Sequence, residues 1–148
     1  VAMAQMMSVY QYPKGPKGNA VYWMKSNAEN AIYITLKNEK PYDWEKIMSG
    51  ADNKDEIARL LYHCGVAVRM KYGADVSTAY MADIREGFIH NFSYRHDSLK
   101  HYVKQKPEQL GPNSVIRITF SDEEWSNMIL HELRQGRPTI SSFNFNSL

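Results

Sequence analysis

Residues 12–18, Tyr-Pro-Lys-Gly-Pro-Lys-Gly, set the first boundary of the fold. Two prolines that lack an amide donor, interleaved with two glycines, let neither a helix nor a central strand run through them. Ahead of this break Val1, Met3, Met6, Met7 and Tyr10 recur at spacings close to three and four, which predicts a helix over about residues 1–10. Behind it, two β-rich runs, Val21–Met24 and Ile32–Leu36, flank the polar residues 25–30 and predict a hairpin. "YDWEKIM" predicts a short helix with Trp44 and Met48 on one side.

The clearest middle helix is expected from about Lys54 to Cys64. Asp52 or Asn53 would cap it, Ile57, Leu60, Leu61 and Cys64 would face inward, and Gly65 would stop it. "VAVRMKYG" then alternates Val66, Val68, Met70 and Tyr72 against Ala67, Arg69 and Lys71, the pattern of a half-buried strand broken at Gly73. A further helix, entered through Asp75 or Ser77, carries Met81, Ile84, Phe88 and Phe92 inward. Residues 93–111 are polar and aperiodic. "VIRITF" alternates as a strand, and "SDEEWSNMILHELRQG" predicts a helix with a Ser121–Glu124 capping box, Gly136 at its end and Trp125, Ile129 and Leu133 toward the core. A new strand is expected from Thr139. Helices and short strands come first and a sheet begins late, an α+β pattern with both ends cut inside structural elements.

The chain has 148 residues, enough for one core and too few for two ordinary domains. Eighteen basic residues against sixteen acidic ones, scattered singly, argue against a nucleic-acid or anionic-membrane partner. No apolar run approaches the eighteen or so residues of a membrane span, so no membrane insertion is expected. A lone cysteine, Cys64, excludes an internal disulfide and a thiolate zinc cluster made by this chain alone. Its place on an apolar helix face marks it as a small buried hydrophobe rather than a nucleophile. The histidines, His63, His90, His96, His101 and His131, do not show metalloprotease spacing, and no metal site is expected.

Candidate chemistry within the chain is sparse. Ser77, His131 and Asp83 could compose a triad, but no nucleophile-elbow glycines flank a serine. The carboxylate pairs Asp55–Glu56 and Asp122–Glu123 sit where helix first turns favour negative charge. "NFS" at Asn91 fits a glycosylation acceptor weakly, because Phe92 beside it ends an apolar helix face. The residues alone leave a globular α+β segment without a complete active site.

The opening "VAMAQMMSVYQYPKG", with Ala4, Gln5, Met7, Tyr12 and Pro13, resembles the stretch after the nucleophile in streptopain-like cysteine proteases, a bacterial papain-clan family. "YDWEKIM", "LLYHCGVAVRMKYG" and "SDEEWSNMILHELRQGRP" resemble later segments of that family in the same order. The resemblance implies a papain-like fold, mostly its helical half over about residues 1–92, with a mixed segment and the start of the β-barrel half over about 93–148. It implies a Cys-His endopeptidase whose cysteine stands about three residues before Val1, where a helix N-terminus can lower a thiol from about 8.5 to roughly 3.5–7.5. The histidine would follow Leu148, so the 148 residues alone would be inactive.

The resemblance also implies that Ser77, Thr78 and Ala79 line the pocket for a substrate side chain, although Asp75 and Val76 depart from the family's small residues there. Protein or peptide substrates, an N-terminal prodomain acting as inhibitor, export from a bacterial cell and no metal or organic cofactor follow from the same resemblance. A non-catalytic papain-like binding or adhesion module is the alternative, and the residue at the nucleophile position separates the two.

Overall fold

The structure, a computed structural model, describes residues 1–23, 31–36, 39–50, 53–73, 75–102, 104 and 120–141. They fall into two compact units, one within Val1–Leu99 and one within Lys100–Ser141. The first unit holds α1 (Ala2–Tyr10), the strands β1 (Asn19–Trp23) and β2 (Ala31–Thr35), then α2 (Trp44–Ser49), α3 (Lys54–Ala67) and α4 (Met81–Phe92). The second holds α5 (Asp122–Arg134).

The proline-glycine break acts as expected. Gln11 takes the left-handed conformation at φ 46° and its amide closes back on α1, so the helix is finished before Pro13. The expected hairpin is present as an antiparallel pair in which Asn19 faces Thr35 and Trp23 faces Ala31. Leu36, 1 % exposed, bonds from its amide to the Gly18 carbonyl at 2.9 Å and ties the hairpin base into the core.

The core gathers Met3, Ala4 and Met7 of α1, Leu36, Tyr42, Ile47 of α2, Leu60, Cys64, Val66 and Ala67 of α3, Val68, and Phe88 and Phe92 of α4. Full burial of the Met, Leu, Ile, Val and Phe side chains among them is worth about 1.5–3 kcal/mol each. Other apolar residues stay out of it. Leu61, expected to face inward, is exposed, as are Val1 and Met48, and the three border a surface groove of about 380 Å³ between α1, α2 and α3. On α2 it is Ile47 that is buried, not Met48. Tyr10 is also exposed.

The strand expected at residues 66–72 is corrected: α3 continues through Gly65 to Ala67. Residues 63–68 are all buried, so this end of the helix is enclosed on every side, and a short continuous apolar run does not separate a strand from an enclosed helix. Gly65 serves a close contact rather than a stop, because a Cβ there would lie 2.1 Å from the Tyr72 hydroxyl. The stop is a Schellman turn with Arg69 left-handed at φ 52°, the Arg69 amide bonding Val66 O and the Met70 amide bonding Gly65 O. Asn53 occupies the N-cap position of α3 without a side-chain cap bond.

The entry to α4 also differs from expectation. Tyr80 is its N-cap, and neither Asp75 nor Ser77 caps it. The helix instead docks through Gly87, where an added Cβ would come within 3.1 Å of the Ala67 carbonyl oxygen.

In the second unit the capping box is complete: Ser121 Oγ accepts from the Glu124 amide at 3.2 Å, and Glu124 Oε2 accepts from the Ser121 amide at 2.8 Å. Phe120 lies 5.6 Å from Trp125 and 6.1 Å from Tyr102, ring centre to ring centre. No described residue of α5 is buried, so the core face expected of Trp125, Ile129 and Leu133 is not realised among the described residues. The strands expected at 115–120 and from Thr139 fall largely outside the described residues.

Candidate functional site

The first turn of α1 contains no acidic residue, and Val1 at its N-cap provides no side-chain cap bond. The positive end of this helix is therefore not countered by a side chain of its own first turn. Met3, Ala4 and Met7 fix it from below, and Met7 Sδ accepts from the Cys64 thiol at 3.8 Å. The loop after α1 is pinned from two directions. Trp44 Nε1 donates to Pro13 O at 3.0 Å and the Tyr42 amide to Lys14 O at 2.7 Å. From α4, Asn91 Nδ2 donates to Lys17 O at 3.0 Å while the Lys17 amide donates to Asn91 O at 2.9 Å. Just past α4, the Tyr94 and Tyr12 hydroxyls bond the carbonyls of Tyr12 and Ser93. With its amide engaged and 6 % exposed, Asn91 is unsuited to carry a glycan.

Cys64 and His63 are adjacent in sequence and face different neighbours. Burial pushes the Cys64 thiol up to about 12, against its ordinary value, which keeps it protonated and unreactive. His63, 2 % exposed, places Nδ1 2.9 Å from the Tyr42 hydroxyl. Burial lowers the pKa of this imidazole, and the neutral ring shares a hydrogen bond with the phenol. Neither is a thiolate–imidazole pair in the making.

A charge cluster that the sequence reading missed stands beside it. Glu56 takes Lys40 Nζ at 2.6 Å and Arg59 NH2 at 2.8 Å, and Lys40 first, then Arg59, holds its carboxyl down at about 2. Arg59 also donates to the carbonyls of Lys40 and Pro41 at 2.9 Å and lies 4.9 Å from the Tyr42 ring centre. The cluster fastens residues 39–42 to α3, and through Tyr42 to the loop after α1. The Glu56–Arg59 spacing of three on a helix was a visible signal; Lys40, sixteen residues before Glu56, was not.

Ser77, Thr78 and Ala79 lie on one exposed segment of the first unit. Thr78 exchanges both backbone hydrogen bonds with Lys71, at 2.9 and 3.0 Å, so the segment is held as one rung of antiparallel ladder. No cluster of three His, Cys, Asp or Glu side chains suited to a metal ion occurs among the described residues. No helix among them is long and apolar enough to cross a membrane.

Comparison with known proteins places this geometry. Streptopain from Streptococcus pyogenes serotype M28 is 27% identical over 149 residues, spanning 93% of this chain and 33% of its own length. The chain thus spans about a third of the curated relatives it matches. The solved structure of active wild-type interpain A, a cysteine protease of Prevotella intermedia, superposes with a TM-score of 0.68 at 27% identity, covering 92% of this chain and 53% of that one. A prointerpain A fragment from the same organism gives a TM-score of 0.68 and is covered to 41%. The model of the Peptidase C10 family matches residues 1–147. With nearly its whole length accounted for by the family model, the chain belongs to the Peptidase C10 family.

Proposed function

We propose that this chain is the part of a secreted bacterial cysteine endopeptidase that lies between its nucleophile and its histidine, comprising the helical half of a papain-like fold and the entry to its β-barrel half. The observation that carries this reading is the family match over residues 1–147. The acid-free first turn of α1 supports it, because a thiolate is stabilised at such a helix end.

In this mechanism a cysteine just ahead of Val1 is held as thiolate by the helix dipole and an imidazolium supplied from beyond Leu148. The sulfur attacks the scissile carbonyl, the imidazolium protonates the leaving amine, and water then releases the acyl group. First-turn amides of α1 are placed to stabilise the oxyanion, and one such donor is typically worth on the order of 3 kcal/mol. Ser77, Thr78 and Ala79 form a wall for a substrate side chain, proteins or peptides are the substrates, a prodomain restrains the enzyme, and no cofactor is needed.

The test uses the full-length protein with a casein substrate. Hydrolysis that an epoxide thiol-directed inhibitor abolishes is the expected result. No hydrolysis after removal of any N-terminal extension, together with a residue other than cysteine at the nucleophile position, would leave only a binding module of this fold.

A further inference from the structure

Resting on the assignment of Ser77, Thr78 and Ala79 to the substrate wall, we propose that Lys71 is a specificity determinant of that wall. It selects peptides that carry an aspartate or glutamate next to the residue seated on Thr78.

Lys71 and Thr78 donate to and accept from each other through their backbones, at 2.9 and 3.0 Å. Two residues that exchange both bonds are directly opposite in an antiparallel pair, and their side chains leave on the same face with Cβ atoms about 4.5–5.5 Å apart. Tyr80 lies two residues beyond Thr78 with extended backbone, φ −90° and ψ 145°, which returns its side chain to that face. Lys71 Nζ is accordingly found 5.6 Å from the Tyr80 ring centre.

A ring face orients an ammonium without cancelling its charge. Among the described residues no carboxylate pairs with Lys71. Arg69, exposed two residues earlier, adds positive charge, and Asp75 is the sole acid between Arg69 and Tyr80. Thr78 therefore shares one face of the ladder with an exposed, oriented cation that has no carboxylate partner among the described residues. A carboxylate on the bound peptide supplies that partner, and a substrate lysine there meets repulsion.

The experiment uses the full-length protein and a set of peptides with one cleaved bond, in which Glu, Gln or Lys replaces each residue on the N-terminal side of that bond in turn. At one position Glu is expected to exceed Gln in kcat/KM by about two- to fivefold, the size of an exposed ion pair. The ratio should approach one in high salt. Lys71→Glu should invert it in favour of the lysine peptide, and Tyr80→Ala should weaken it while Tyr80→Phe keeps it. Each ratio is taken within one protein and does not depend on how much of it is folded. The same ratios in the parent and Lys71→Glu proteins at every position would overturn the role of Lys71 and leave the protease reading standing. Cleavage of none of the peptides by the parent would overturn both.

Discussion

The Tyr42 hydroxyl and Nδ1 of His63 lie 2.9 Å apart and join the segment before α2 to the buried face of α3. The pair sits in a buried setting that disfavours a charged imidazole, so the ring is held neutral there. Burial is the main cause of the lowered His63 pKa; Arg59 lowers it further, while Glu39 and Glu56 oppose the shift.

An acid dependence of stability follows. In the unfolded chain this histidine takes a proton near pH 6.5, whereas the folded protein resists protonation until a lower pH, so the unfolded state binds more protons between the two values. Stability is full above about 6.5 and is expected to fall as pH drops from there through the folded-state value. Urea unfolding at a series of pH values checks this, and His63→Gln should flatten that stretch of the profile.

The Glu56 cluster also weakens in acid, in a lower pH window and through a carboxylate held charged instead of an imidazole held neutral. Its carboxyl sits at about 2 in the folded protein, below its ordinary 4.5, so its contribution is present above 4.5 and is lost as pH falls toward 2. Arg59→Leu removes one of the two cations on Glu56 and frees two carbonyls, and should cost about 1.5–3 kcal/mol, the range for hydrogen bonds to a charged group, because Lys40 still pairs with the carboxylate. Lys40→Met removes a partner whose side chain is 67 % exposed, and about 1 kcal/mol or less is expected. Chemical denaturation of the two variants separates these values.

Two glycines within helices should respond differently to alanine. At Gly87 the new Cβ meets the carbonyl and Cβ of Ala67 at 3.1 and 3.2 Å, and a packed helix end cannot retreat. Gly87→Ala should therefore destabilise by about 1–2 kcal/mol, overpacking outweighing the gain in helix propensity. At Gly65 the atom met is the hydroxyl of Tyr72, a side chain 44 % exposed and able to swing away. Gly65→Ala should be close to neutral. Thermal unfolding of the pair decides.

What could be read from the sequence was what local chemistry specifies. The α5 capping box needs only Ser121 and Glu124, and the end of α1 only its proline-glycine neighbour, so both were legible. Helix faces were less so, because burial depends on a partner: Leu61 and Leu60 differ by one position, yet one is exposed and the other is core. The Gly65–Val68 run misled because an enclosed helix end needs no polar face. At the candidate wall, Ser77, Thr78 and Ala79 were found by resemblance, whereas the opposing Lys71 emerged only from the backbone pairing, which no periodicity announces. In the Lys40–Glu56–Arg59 cluster only the Glu56–Arg59 spacing was local; Lys40 joins from a distant position that no pattern marks.

Treating the full-length protein with an epoxide thiol-directed inhibitor and mapping the adduct by mass spectrometry identifies the attacking sulfur. A single adduct on a cysteine about three residues ahead of Val1, with the buried Cys64 unmodified until the protein is unfolded, is the expected result. An adduct on native Cys64, or a native protein with no reactive cysteine ahead of α1, would contradict it.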